Sequence, residues 1–404
     1  MKIAIVSSGD LSEMKGIMNF VHEKAKHLQR AENVSCDIYI IRNINSPFFL
    51  LLTKKISIKE LFLSTINIEN ISDYDNVKYN NLLYRYGLFS NIIDTKLLKV
   101  PLSHYKVMKF SKVLKDYDLI TSHTLSGHYL AYKIKQKYKI PFVTTWHGSD
   151  INIDPFKYPI AKKFTKSIMQ AADMNFFVSK ALLKASEKIC KYGKKDVIYT
   201  GPSDYFYKSS LDEILKYRKD NSLGKDDIIL GFIGNLIPIK NVLVIPTILA
   251  KVKSKLSSET KLTFWIAGNG CLEEPLKNSL KSHKIHHKFF GKLEPRAIPL
   301  FMSSLDILLL PSLNEGLPLV ALEAKKCGIH VVASNVGGIK ECVGEQNCFD
   351  LDKDFCDRMA DRIIKILETQ ELSSPLNPIF SWESAIIKET ETYKDILSKH
   401  PYIK

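Results

Sequence analysis

The feature that most constrains this chain is a pattern that occurs twice. A short apolar run leads into a glycine-bearing loop, and a segment with helical spacing follows. The first copy opens the chain. Residues 2–7 read as a strand, Gly9 and Gly16 mark the loop, and Ile17, Phe20, Val21, Ala25 and Leu28 then recur at helical spacing. The second copy opens at Ile228, with a strand over 228–233, a loop over 234–241 and a helix over 242–256. Further apolar runs predict strands at 36–41, 118–122, 142–146, 175–178 and 197–199. In the second half they predict strands at 262–267, 287–290, 307–310 and 330–333. Strands alternating with helical segments define an α/β protein with parallel sheets.

A chain of 404 residues has room for two or three domains. The polar, charged stretch 203–227 reads as the connection between two similar units. The expected division is a first domain at 1–205, a second at 206–380 and a helical tail at 381–404. Residues 45–100 are less regular, mixing aromatics, leucines and lysines. Pattern favours helices packed on the first sheet there, and the competing reading is an acceptor-side or membrane-touching insertion.

Charge and cysteine usage exclude several classes. The formal charge is +15, yet the lysines are dispersed rather than clustered. That predicts no nucleic-acid partner and at most a weak contact with an anionic membrane surface. The first ten residues lack the layout of a secretory leader. The longest apolar run, 48–52, is stopped by Lys54 and Lys55, far short of the roughly 20 residues needed to span a bilayer. Seven cysteines with no CxxC pair read as reduced, mostly buried thiols of a cytosolic protein. The first loop lacks the GxGxxG spacing of a dinucleotide site, and no phosphate-binding GxxxxGK[ST] occurs.

Four segments carry candidate chemistry. The most informative is PSLNEGLPLVALEAKKCG, 311–328. A buried strand runs into a loop, Pro318 is placed to occupy the first helical position, and Gly328 stops the helix. Such a loop brings free backbone N–H groups and the positive end of a helix dipole to the carboxyl end of a strand, where a diphosphate can sit. Glu315 and Glu323 frame it, each able to accept two hydrogen bonds from sugar or ribose hydroxyls. The second segment is GFIGNLIPIKN, 231–241, with Lys240 at the start of the next helix as a flexible cation for a diphosphate. The third is TTWHGSD, 144–150, with His147 at the end of a strand. His123 and His128 compete with it for the same role. The fourth is the first loop, where Gly9 and Gly16 let backbone approach a ligand closely.

Together these motifs resemble the retaining glycosyltransferases of family 4, whose GT-B fold has two Rossmann-like domains facing a cleft. The resemblance covers most of the chain. It rests on the first loop with Gly16, TTWHGSD, FFVSK, GFIGNLIPIKN, WIAGNG at 265–270, NEGLPLVALEA and FSWES at 380–384. It implies that the C-terminal helix returns to the first domain. It also implies that Lys240 binds the donor diphosphate and that the backbone of Gly316, Leu317, Pro318, Leu319 and Val320 holds phosphate and sugar. Glu315 would contact the transferred sugar, Glu323 the ribose, and His147 the sugar near the reacting carbon. Gly16 would let the first loop close over the donor. Asn235 stands where the family often has Arg, within the same donor site, and Lys15–Gly16 replaces the usual glycine pair. Thr200–Gly201 stands where the family commonly has Asn–Gly before the connection.

The implied reaction moves a hexose-type sugar from a nucleoside-diphosphate sugar, UDP foremost, to a hydroxyl of a glycan or lipid-linked acceptor. It proceeds with retention, with neither metal nor cofactor, in surface polysaccharide or glycoconjugate synthesis. The expected location is the cytoplasm, with peripheral contact at the inner membrane face. Two other readings share the architecture: a catalytically silent GT-B subunit binding a partner or glycan, and a nucleotide-sugar 2-epimerase.

Overall fold

The structure is a computed structural model that describes residues 1–9, 16–45, 71–74, 76–86, 108–157 and 159–400. The chain divides into two units. One is Met1–Ile198 together with Trp382–Lys404, and the other is Tyr199–Ser381.

In the first unit the described strands are β1 (Lys2–Ser8), β2 (Ser35–Asn45), β3 (Ile71–Tyr74), β4 (Val77–Tyr86), β5 (Leu119–His123), β6 (Phe142–Trp146), β7 (Met174–Phe177) and β8 (Lys195–Val197). They form one sheet in the order β3-β4-β2-β1-β5-β6-β7-β8, parallel except for β3 against β4. Helix α1 (Ile17–Gln29) follows β1 and buries Val21, Ala25 and Leu28 against Ile3, Ile5 and Ile38. Helix α3 (Trp382–Ser398) adds Ala385, Ile386, Tyr393 and Ile396 to the same core.

In the second unit the described strands are β9 (Ile228–Ile233), β10 (Leu262–Ala267), β11 (His286–Gly291), β12 (Ile307–Leu310), β13 (His330–Ser334) and β14 (Cys348–Phe349). Their order is β11-β10-β9-β12-β13-β14, with every neighbouring pair parallel. Counted along the chain this is the doubly wound order 3-2-1-4-5-6. The apolar runs are continuous because both faces are covered. Leu230, Phe232, Phe264, Ile266, Ile307 and Leu309 enter one core. Their neighbours Ile229, Trp265, Leu308 and Leu310 enter the other.

Several expectations need correction. The irregular region 45–100 contributes strands among its described residues. Strand β4 extends the sheet beside β2, and β3 folds back on it through Asn76 at φ 62°. No helix is seen in that described part, and the remainder of 45–100, with the run at 48–52, lies outside the described residues. The stretch 203–227 is not bare connection. It contains a helix, Leu211–Asp220, started by a Ser210–Glu213 capping box, with Ile214 buried. The helix expected over 242–256 is an α-helix only from Ile245 to Lys255. Two 3-10 turns precede it, Pro238–Lys240 and Val242–Val244. All seven cysteines are unpaired, and four of them are buried while Cys271 is exposed. Among the described residues no helix is long and apolar enough to cross a membrane.

Candidate active site

In a doubly wound sheet the loops after the first and fourth strands diverge, and that divergence opens a crevice at the carboxyl ends. In the second unit these strands are β9 and β12. The loop after β9 carries Asn235 and, in the 3-10 turn, Lys240; the loop after β12 carries Glu315. The two loops are joined by Leu313 N–H donating to the Ile239 carbonyl at 2.8 Å. Lys240 and Glu315 meet there, with Nζ 2.6 Å from Oε1. Ser312 Oγ donates to the same oxygen at 2.7 Å, so the carboxylate is held from two sides.

Glycine makes this approach possible at one position above all. Gly337, at φ +54°, lies so close to the loop that a Cβ would sit 1.8 Å from the Glu315 carbonyl oxygen. The next residue, Gly338, donates its N–H to the Gly316 carbonyl at 2.9 Å. Helix α2 (Leu319–Lys326) then begins. Pro318 is its N-cap, at φ −77° and ψ 103°, so the proline expected at the first helical position stands one residue earlier. Its extended ψ places the turn of the chain before the helix. The N–H groups of Leu319 and Val320 begin the helix without intrahelical acceptors. Gly316 and Pro318 are buried, whereas Leu317, Leu319 and Val320 are half-buried. Glu323 lies four residues after Leu319, on the same face one turn along. Asn235 is half-buried, and its side-chain amide bonds to no described residue.

A second cluster occupies the corresponding place in the first unit, where β1 is flanked by β2 and β5. Gly16 caps α1 at φ +50°, a conformation glycine adopts without penalty. Residues 10–15 of the first loop, Lys15 among them, lie outside the described residues. One turn into α1, Phe20 packs edge-on against His147, with centroids 4.6 Å apart. His147 is half-buried and its Nε2 lies 3.0 Å from Nδ1 of the buried His123. His128 does not share this position. It is buried, bonded through Nδ1 to Ser122 Oγ at 2.9 Å, with its ring against Trp146. Burial, then the Lys24 ammonium, lowers the pKa of His147 to about 3, and His123 is held well below the ordinary range by the same causes in the same order. Asp150 accepts the N–H groups of His147 and Gly148 at 3.2 and 2.8 Å. Burial nevertheless raises its pKa to about 6. Thr124, next to His123, sits at φ +63° and is tied to Ser8, with Oγ1 2.8 Å from Ser8 Oγ. A β-branched residue in that region is strained by roughly 1 to 3 kcal/mol.

Residues 213–377 match the family described as Glycosyl transferases group 1, and residues 74–202 match Glycosyltransferase Family 4. The chain is 29% identical over 257 residues to the O-antigen biosynthesis glycosyltransferase WclY of Escherichia coli, covering 61% of this chain and 69% of that one. The fold superposes on sucrose-phosphate synthase of Thermosynechococcus elongatus with TM-score 0.73 and 15% identity, covering 98% and 99% of the two chains. It superposes on Alr3699/HepE of Anabaena, solved with UDP, with TM-score 0.71 and 17% identity, covering 98% and 100%. The chain is a glycosyltransferase of the GT-B fold.

Sequence reasoning about this glycosyltransferase overlooked Ser312, Gly337, Asp150 and Lys24. Ser312 and Asp150 stand three residues from a recognised site residue, and the Gly337–Gly338 pair after a strand was a visible turn signal. Lys24 carried no signal: a helical lysine reads as solvent-facing until its partner is known.

Proposed function

We propose that this glycosyltransferase moves a hexose-type sugar from a nucleoside-diphosphate sugar, UDP-linked, to a hydroxyl of a glycan or lipid-linked acceptor. The anomeric configuration is retained, no metal takes part, and the product belongs to surface polysaccharide or glycoconjugate synthesis. The observation that carries the reading is the Lys240–Glu315 pair at the divergence of β9 and β12, beside the first turn of α2. It joins a cation, a hydroxyl-binding carboxylate and free N–H groups, which a diphosphate sugar needs together. The UDP complex of HepE supports the choice of nucleotide, and the O-antigen relative supports the choice of product.

In this reading the diphosphate takes the Lys240 ammonium from Glu315. Glu315 keeps Ser312 and gains the sugar hydroxyls. Glu323 accepts from the ribose. Asn235 contributes a neutral amide donor, and the backbone of 316–320 holds phosphate and sugar. The bond from the anomeric carbon to the diphosphate breaks as the acceptor oxygen bonds the same face of that carbon, and the acceptor proton passes to the departing diphosphate oxygen. Lys240 and the N-terminus of α2 stabilise the leaving charge. For the enzyme's cytoplasmic location at a membrane face, the candidate surface is the helix Pro159–Ala171 and the turn before it. There Phe156 and Ile160 are 51% and 39% exposed beside exposed Lys157, Lys162, Lys163 and Lys166.

The test is thermal stabilisation by UDP, GDP, ADP and their common sugars, with wild type beside Lys240→Ala and Glu323→Ala. Stabilisation by the uridine set, lost in both variants, is the expected result. Stabilisation by none of them would overturn the donor site.

A further inference from the structure

The buried pair His123–His147 carries information that neither histidine holds alone. Only one hydrogen lies between His147 Nε2 and His123 Nδ1, 3.0 Å apart. Either ring can supply it, and the choice is settled at the far nitrogens. His123 Nε2 is buried and reaches no partner among the described residues. No described residue bonds His147 Nδ1, and that nitrogen is not enclosed, since His147 is half-buried and only His123 and His128 are orphaned at a buried ring nitrogen in this cluster.

If His147 supplied the hydrogen, the proton of His123 would sit on Nε2 as a buried N–H without an acceptor. Orphaned buried N–H groups are the rarest polar defect in folded proteins, rarer than unfilled lone pairs. If His123 supplies it, only a lone pair is left unfilled. The Lys24 ammonium, enclosed in the same unit, favours that lone pair, because its positive potential acts on both rings. The ring of Phe20 packs against both histidines, 5.4 Å from His123 and 4.6 Å from His147, and keeps them in register. Asp150 does not compete, since its carboxylate is engaged by backbone N–H groups.

We infer that His123 is a positioning residue that holds His147 as the Nδ1–H tautomer, so that His147 offers its ligand a hydrogen-bond donor and not a base. A donor in that place suits a sugar hydroxyl oxygen, and a transfer with retention asks for no enzymic base. The inference rests on the proposed function only in naming the sugar as the ligand. The tautomer itself is a property of the unliganded protein.

The experiment is a two-bond 1H–15N correlation of the full chain labelled at histidine, at pH 7. The two rings are assigned by the signals lost in His147→Ala and His123→Asn. Expected is a protonated Nδ1 and a bare Nε2 on both rings. A protonated Nε2 on His147 overturns the inference. In His123→Asn the amide can replace the donated hydrogen, so the His147 pattern is kept. In His123→Phe it is lost, and kcat falls about tenfold with KM for the donor little changed. An unchanged His147 pattern in His123→Phe also overturns it. The ligand is tested separately, by adding UDP and then UDP-glucose, GDP-mannose or ADP-glucose, whichever binds. Movement of the His147 Nδ1–H signal with the sugar nucleotide, and not with the nucleotide alone, supports contact with the sugar. Donor binding that leaves the signal still removes that contact and leaves the donor site at Lys240 untouched. Failure of every nucleotide to bind removes the donor site and leaves the tautomer standing.

Discussion

Replacing Glu389 by Ala should destabilise the first unit far more than loss of a surface carboxylate. Lys24 on α1 and Glu389 on α3 form an ion pair of 2.8 Å with side chains 0% and 2% exposed. Lys24 Nζ also donates to Thr121 Oγ1 at 3.0 Å, and Tyr393 donates to the same carboxylate oxygen, Glu389 Oε2, at 2.7 Å. Removing the carboxylate strands a buried ammonium and a buried phenol. Breaking such a pair from one side costs about 3 to 5 kcal/mol. At about 2 to 4 °C per kcal/mol for a unit of this size, the first unit should melt roughly 6 to 20 °C lower. The loss should depend on pH. Burial already lowers the Lys24 pKa and Glu389 opposes that shift, so without Glu389 the folded state gives up the Lys24 proton more readily than the unfolded chain does. The unfolded state then binds more protons as pH rises toward the ordinary lysine range, and stability rises with pH there, by at most about 1.4 kcal/mol per unit. Lys24→Met with Glu389→Leu and Tyr393→Phe should recover most of the loss. Tryptophan fluorescence during urea or thermal denaturation reports it, because Trp146 and Trp382 lie in this unit. A loss below about 1 kcal/mol with no recovery at high pH would refute the reasoning. The consequence reaches the site, since Trp382 packs on Phe20, which touches His147.

Gly337→Ala should cost more than about 1 kcal/mol in urea denaturation, because a Cβ there meets the Glu315 carbonyl at a positive φ. It should also weaken nucleotide binding in calorimetry by moving the Glu315 loop. Acid should weaken the first unit between about pH 6 and pH 4. The pKa values of His123, His128 and His147 are held below the ordinary range chiefly by burial, so the unfolded chain takes up three protons there that the folded one does not. Asp150, raised to about 6, takes one proton in the folded state that the unfolded chain does not. The net two protons give a slope on the order of 2 to 3 kcal/mol per pH unit, stability falling as pH falls, which urea titrations at successive pH values measure. Flotation with anionic vesicles at low salt should recover the wild type, and Phe156→Ser with Lys162→Glu and Lys166→Glu should leave it in solution. Equal flotation with zwitterionic vesicles would show that charge has no part.

The fold was largely legible in order of appearance. Strands such as 228–233, 262–267 and 307–310 are continuous apolar runs because each is covered on two faces, a condition that acts residue by residue and leaves its mark locally. The loop 311–318 and the stop at Gly328 were legible for the same reason, since turn and cap chemistry is short-range. What tertiary structure alone decided was pairing at a distance. Lys240 and Glu315 meet across 75 residues because β12 lies beside β9, and no local pattern states sheet order. His123, His147 and His128 look alike in sequence, yet opposite sides of β5 and the neighbouring β6 send one to Ser122 and bring two together. Strands β3 and β4, mixing polar with apolar residues at the edge of the sheet, lacked the continuous run by which central strands announce themselves. Lys24 was the extreme case. Its burial depends on Glu389, 365 residues away, and a charge is buried only where its partner is delivered, which is a property of the assembled unit and of no stretch of chain.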